Sequence, residues 1–333
     1  MPKAKPLTKL SSDCWTTCPG STGWVVVTST QLNPLAEHFD PKLLATLDGL
    51  AFKARYVMEG FLQGFHGGPF HGFSVEFSDY RRYQPGDDLR HLDWRLYARS
   101  DRLCIKRYFQ ETNLRFYVLC DNSASMAYGE GAAWGTKLHC AKVLGAALTW
   151  FLLKQNDAAG MLALRGPQES PRFIQPSQKP SQLGLILTEL EHLVPHGGAC
   201  LTRLLEHASR LIHRRSLILF ISDLLENSDQ VAQGFKHLRF LGHEVVVFQI
   251  LDRDEIEFPF EESAIFEDLE SGERRVLDPH SAVRRRYLEQ FEQFMNAYRD
   301  LFCALEIPHC VVRTDRNPWR AIAMFLNQRR RLL

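Results

Sequence analysis

The sequence predicts an α/β protein whose main domain is a doubly wound, mostly parallel sheet, and three observations support this class. From Leu114 onward, short apolar runs alternate with longer segments of helical periodicity. Residues 116–120 and 217–221 are apolar on both faces, which is typical of buried parallel strands. The longest apolar run, 143–153, is flanked by lysines and is far shorter than the ~20 residues that a membrane span needs. It therefore fits a core helix.

Three regions follow from composition and periodicity. Residues 1–40 are predicted to be a loosely ordered extension, 41–113 a helix followed by an arginine-rich block with short strands, and 114–333 the α/β domain. The predicted strands of that domain are 115–120, 159–164, 217–222, 244–251 and 309–312. The predicted helices are 136–154, 182–193, 201–213, 230–241, 281–306 and 318–331. A polar hairpin fits 264–277, with its turn at Ser271-Gly272.

Oxygen-bearing side chains follow two of the predicted strands. Asp121, Ser123 and Ser125 come at alternate positions after the strand 115–120, and Asp223 follows the strand 217–222. Alternate side chains of a near-extended loop point the same way, and ligands bind at the carboxyl ends of parallel strands. The sequence therefore predicts a site for Mg²⁺ or Mn²⁺, poor in carboxylates and rich in hydroxyls. The alternative is that these residues only cap the helix that follows.

The block around Asp87 to Trp94 is the second distinctive stretch. Pro85-Gly86 predicts a turn, and Asp87 and Asp88 can cap a short helix after it. We expect a mainly structural role, with Trp94 buried and its replacement by alanine costing roughly 3–5 kcal/mol. The other interpretation is an arginine-rich docking surface for an acidic partner.

Composition limits the function classes. There are 40 basic and 39 acidic residues, a net charge of +1 that gives no electrostatic footprint for nucleic acid. The sequence predicts no secretory signal and no membrane span. The eight cysteines lack paired Cys-x-x-Cys spacing, and most lie in or beside apolar runs, as Cys120 and Cys303 do. We therefore expect buried, reduced thiols and a cytoplasmic location.

These motifs resemble known families. Asp-x-Ser-x-Ser after a strand, with a later strand ending in Asp, is similar to the metal-ion-dependent adhesion site of von Willebrand factor type A domains. The resemblance implies a threonine ligand in the loop 197–202, where Ala199 stands at the expected position and Thr202, one helical turn later, is the candidate substitute. The 72–77 stretch, Pro-Gly-Asp-Asp-x-Arg-x-x-Asp-Trp and Glu111-Thr112-Asn113 resemble the bacterial "domain of unknown function 58" family over residues 42–333.

That second resemblance implies a role beside a AAA+ ATPase of the MoxR type. The chain would be a non-enzymatic, divalent-cation-dependent adaptor or co-chaperone that binds the ATPase, a client protein, or both. It resembles the subgroup of the family without membrane spans. Two alternatives stay open, a metal-independent scaffold that uses the arginine-rich block and an unrecognised metal-dependent hydrolase.

Enzyme motifs are weak in this sequence. Gly131 to Lys137 has the wrong spacing for a phosphate-binding P-loop, and no Gly-x-Ser-x-Gly elbow is present. A haloacid-dehalogenase-type phosphatase needs a second aspartate where Ser123 stands. His66 and His71 lack a third ligand. We therefore expect no catalysis.

Overall fold

The computed structural model describes twelve stretches of the chain. They are residues 49–64, 79–82, 94–100, 102–107, 114–129, 131–164, 166, 169–197, 200–226, 228–270, 272–277 and 281–332.

A six-stranded sheet forms the centre of the α/β domain, in the order β10-β7-β6-β3-β4-β5. Its strands are β3 (Arg115–Cys120), β4 (Ala158–Ala163), β5 (Arg172–Ser177), β6 (Leu217–Ser222), β7 (Glu244–Leu251) and β10 (His309–Arg313). All neighbouring pairs are parallel except β4 and β5. The strand order reverses between β3 and β6, so the switch point of this doubly wound sheet lies there.

Helices cover both faces of the sheet. The α-helices of the described ranges are α1 (Leu50–Gly64), α2 (Trp94–Ser100), α3 (Lys137–Lys154), α4 (Ser181–His192), α5 (Cys200–Leu211), α6 (Ser228–Phe240), α7 (Arg253–Glu257), α8 (Ser281–Ala304) and α9 (Trp319–Leu332). One core joins the sheet to α1, α3, α4 and α9, and a second joins it to α5, α6 and α8. Alternate residues of β3 enter different cores, with Phe116 and Val118 in the first and Tyr117 and Leu119 in the second.

Helix α3 lies unusually close to the sheet at one point. A Cβ added to Gly145 would come within 3.0 Å of Val118 Cγ2. A glycine at this position therefore sets how near the helix axis can approach β3.

The predicted α/β class is confirmed, and the bounds of β3, β6 and β7 agree with the prediction residue by residue. Strand β5 was not predicted. It is a partly exposed edge strand that contains Pro176, and proline in an apolar run argues against a strand except at a sheet edge.

Two small antiparallel ribbons accompany the sheet. β1 (Asp79–Arg82) pairs with β2 (Cys104–Arg107), in the block where short strands were expected. β8 (Ala264–Glu267) pairs with β9 (Arg274–Leu277), as the predicted hairpin requires. The predicted helix from residue 41 is described only from α1 onward.

The expectation for Trp94 is wrong. Its side chain is 60% exposed at the first position of α2, and its ring meets the edge of Tyr97 at 6.4 Å between centroids. A seven-residue helix offers this indole little surface to bury against, so the predicted core-like cost does not apply. Residues 87–93 lie outside the described residues.

Four cysteines have described side chains, and they fall into two groups. Cys120, Cys140 and Cys310 are buried and free, as expected. Cys303 is exposed and disulfide-bonded, so the expectation of a reduced thiol is wrong there. Within the described ranges, no helix is both long enough and apolar enough to cross a membrane.

Candidate cation-binding site

The candidate site lies at the switch point of the sheet. Cys120 at the end of β3 is the register partner of Ile221 in β6, and the Asp121 N–H donates to the Ile221 carbonyl at 2.8 Å. Asp121 and the pair Ser222-Asp223 therefore leave the sheet side by side. All three residues are at most 2% exposed.

Asp121 is the centre of a hydrogen-bonded group. Its Oδ1 accepts from the Ser123 N–H at 3.0 Å, and its Oδ2 accepts from Ser222 Oγ at 2.6 Å and Ser123 Oγ at 3.3 Å. Ser123 Oγ lies 3.1 Å from Ser125 Oγ. The structure thus brings the three alternate residues of the motif together.

Helix capping does not account for Ser123. It stands at the N-cap of the 3₁₀ helix Ala124–Ala127, but its side chain makes no capping hydrogen bond there. Its hydroxyl meets Asp121 and Ser125 instead. The side-chain oxygens of the motif therefore lie close to one another and do not cap the start of the helix.

Asp223 is held by a lysine that the sequence analysis did not single out for this role. Its Oδ2 accepts from Lys137 Nζ at 2.7 Å, and its Oδ1 accepts from the Leu225 N–H at 3.1 Å. Lys137 Nζ also donates to Glu255 Oε1 at 2.6 Å, and the lysine side chain is fully buried. A lysine in the first turn of a helix is electrostatically unfavourable unless carboxylates lie beside it. The position of Lys137 in the sequence could therefore have indicated nearby carboxylates.

Thr202 is tied to another residue. Its N–H and Oγ1 both donate to Glu226 Oε2, at 2.7 and 3.1 Å. The threonine therefore reaches the site only through a glutamate. Ala199 lies outside the described residues, as do His66 and His71.

The loop before α5 is fixed against the motif by Asn122, which is 1% exposed. Its Nδ2 donates to the carbonyls of Leu164 and Val194, each at 3.0 Å, and its backbone carbonyl accepts from the His196 N–H at 2.9 Å. His196 forms a parallel bridge with Ser123. The backbone leading into the loop 197–202 thus has a set position beside the motif.

Two glutamates distant in sequence lie near the motif. Glu270, in the turn between β8 and β9, accepts the Ser125 N–H on Oε1 at 3.0 Å. Glu226 influences the ionisation of Asp121, and Asp223 and Glu270 influence that of Glu226. The carboxylate-poor site stays a prediction, because no three acidic side chains of the described ranges are placed to hold one metal ion.

Burial dominates the ionisation of these groups. Burial, followed by the Asp223 charge, raises the pKa of Asp121 to about 7, although hydrogen bonds from Ser222 and Ser123 oppose the rise. Burial also raises the pKa of Glu226, and the charge of Glu270 adds to the effect. Burial alone would lower the pKa of Lys137, but the charges of Asp223 and Glu255 raise it above its ordinary value.

The residues present fit a hard divalent cation. Carboxylate and hydroxyl oxygens are ligands that Mg²⁺ and Mn²⁺ accept, and a cation would offset the buried negative charge at Asp121. Glu226 Oε1 is shielded from solvent and has no hydrogen-bond partner, so one oxygen beside the site is unsatisfied. The described ranges contain no group of three or more His, Cys, Asp or Glu able to hold a metal. The serine hydroxyls would therefore have to contribute.

Known proteins similar to this chain match it over most of the α/β domain. The family model described as "Protein of unknown function DUF58" matches residues 79–295, from β1 into α8. An uncharacterized protein of Mycobacterium tuberculosis is 28% identical over 301 residues, which cover 88% of this chain and 91% of that protein.

Two solved structures are similar at low sequence identity. The conserved hypothetical protein BatB from Bacteroides thetaiotaomicron is 15% identical, with a TM-score of 0.40, over 66% of this chain and 99% of that chain. The VWA domain of SpRpn10 is 14% identical, with a TM-score of 0.36, over 63% of this chain and 93% of that chain.

Proposed function

The chain belongs to the DUF58 family, and we propose that it is a non-enzymatic protein-binding module whose binding depends on Mg²⁺ or Mn²⁺. The observation that carries the proposal is the hydrogen-bonded group of Asp121, Ser123 and Ser125 beside Asp223 at the switch point. We further propose that its partner is a AAA+ ATPase of the MoxR type, a client of that ATPase, or both, and that it works in the cytoplasm.

The chain's own residues have distinct tasks in this proposal. Asp121, Ser123 and Ser125 would hold the cation, with Asp223 at its side and Thr202 acting through Glu226. When bound, the cation supplies a Lewis-acidic position that accepts a carboxylate from the partner. Lys137 holds Asp223 in place, since its buried ammonium lies 2.7 Å from that carboxylate.

Binding fits this arrangement better than hydrolysis does. A hydrolase needs a base that can take a proton from water. Asp121 has a pKa of about 7, but both of its oxygens already accept hydrogen bonds from Ser123 and Ser222. A partner's carboxylate needs no such base.

One observation favours the metal-independent scaffold as the second candidate. The Lys137 ammonium already neutralises Asp223, at 2.7 Å, and so could hold this edge of the sheet together without a metal. The two candidates differ in a single measurable property, the response of the folded protein to Mg²⁺.

Calorimetric titration with Mg²⁺ and Mn²⁺ tests the proposal. The wild type should bind one ion, and the double variant Ser123→Ala, Ser125→Ala should lose affinity by about tenfold or more, since it removes two ligands and leaves the Lys137–Asp223 pair intact. Asp300→Ala, an exposed change on α8, is the control. No binding by the wild type at millimolar metal would favour the scaffold.

Association with a purified MoxR-type ATPase tests the partner. The ATPase itself needs Mg²⁺, so the wild type and the double serine variant should be compared at one constant Mg²⁺ concentration. Equal association of the two proteins would contradict a metal-bridged contact.

A further inference from the structure

The hairpin β8–β9 is anchored on the body of the protein by aromatic rings. Phe266 of β8 stacks on Phe258 with 5.8 Å between centroids and meets Phe260 edge-on at 5.1 Å. Phe258 packs in turn against Tyr287 of α8, at 4.6 Å. The base of the hairpin is therefore fixed relative to the sheet.

The turn of the hairpin has a defined geometry. The Gly272 N–H donates to the Asp268 carbonyl at 2.7 Å, and Gly272 adopts a φ of 71°, which glycine takes without strain. The Glu270 N–H donates to Asp268 Oδ1 at 3.0 Å. These bonds direct the turn, and with it Glu270, toward a set position.

That position is beside the candidate site. Glu270 Oε1 accepts the N–H of Ser125, a residue 145 positions away in sequence. Its Oε2 lies 3.8 Å from the place that a Cβ on Gly197 would occupy. The carboxylate of Glu270 thus sits between Ser125 and Gly197, the residue that opens the loop where the family resemblance expects a threonine ligand.

Among the neighbouring carboxylates, Asp223 already pairs with the Lys137 ammonium, which also pairs with Glu255. Glu270 remains solvent-exposed, so an incoming partner can reach it. The hairpin thus presents the same chemical group that the proposed function assigns to the partner.

We propose that Glu270 is an intramolecular ligand of the cation site, which occupies the partner's position until an external carboxylate displaces it. The inference rests on the proposed function, because it concerns the coordination of the same cation. The partner's recognition element would then resemble the displaced turn, with a carboxylate on a short exposed loop. Binding would exchange one carboxylate for another and release the turn of the hairpin.

Mn²⁺ binding tests this inference, read by calorimetry and by the relaxation of water protons, which reports the exchangeable waters on Mn²⁺. Glu270→Ala should weaken Mn²⁺ binding by about tenfold and add one exchangeable water. Glu273→Ala is the matched control, since it lies on the same hairpin, is exposed and pairs with Arg275 at 3.0 Å. The control should behave as the wild type.

Each outcome separates the two hypotheses. Wild-type binding with the same affinity and water count in Glu270→Ala would overturn the intramolecular ligand and leave the proposed function standing. Tighter binding by Glu270→Ala would also overturn it. An absence of Mn²⁺ binding by the wild type would defeat the proposed function, and the inference with it.

Discussion

Replacing Lys137 with methionine should destabilise the protein strongly. The ammonium lies 2.7 Å from Asp223 Oδ2 and 2.6 Å from Glu255 Oε1, and the lysine side chain is 0% exposed. Methionine keeps most of the buried volume but removes the charge. Two carboxylates then remain without their shared partner, one of them 1% exposed and the other 18%.

The magnitude follows from burial. Removing one partner of a buried ion pair costs about 3–5 kcal/mol, which is a large share of the roughly 5–15 kcal/mol that stabilises a typical domain. An exposed pair of the same length is the control. Arg55 lies 2.7 Å from Glu59, but these side chains are 61% and 39% exposed, so Arg55→Met should cost less than about 1 kcal/mol.

Urea denaturation at pH 8, followed by circular dichroism, measures both variants. The loss in Lys137→Met should shrink at pH 5, because burial already raises the pKa of Glu255, and this carboxylate takes up a proton more readily once the ammonium is gone. A free energy of unfolding within 1 kcal/mol of the wild type at pH 8 would refute the view that Lys137 balances these carboxylates.

Three further predictions concern other parts of the molecule. Trp94→Ala should change stability by less than about 1 kcal/mol, whereas Trp134→Ala, at a side chain 1% exposed, should cost roughly 3–5 kcal/mol; equal losses in thermal unfolding would contradict the burial argument. The folded-state pKa of Asp121, about 7, exceeds its ordinary value of 3.8, so in metal-free buffer this group makes stability fall as pH rises from about 4 to 7. Asp121→Asn should remove roughly 4 kcal/mol of that fall, and an unchanged pH profile of urea midpoints would rule out the effect. Ala199→Thr should tighten Mg²⁺ binding by supplying a hydroxyl where the family resemblance expects one, and calorimetry showing no change would count against that assignment.

The sequence predicted the central strands because their signal is local. β3, β6 and β7 are buried on both faces, and such runs differ from helices in length and composition alone. The same locality placed Asp121, Ser123 and Asp223 at strand ends, and the parallel register of β3 and β6 then brings them together.

The rest of the site depends on contacts between distant segments. Lys137 meets residues 86 and 118 positions away, and Glu270 reaches Ser125 across 145. No pattern within a helix or strand encodes such pairings. The position of Glu270 beside Ser125, and the lysine between Asp223 and Glu255, become apparent only when α3, α7 and the hairpin are in place.

The close contact at Gly145 links core packing to the electrostatics of the site. Lys137 begins the same helix, about 12 Å along the axis from Gly145. A side chain at position 145 would press on Val118 and push α3 away from the sheet. The Lys137 ammonium at the start of α3 would move with the helix. A methyl group added at Gly145 would thus weaken the Lys137–Asp223 ion pair two turns away. The spacing between helix and sheet therefore helps to set the distance between the Lys137 ammonium and its carboxylates, and glycine keeps that spacing small.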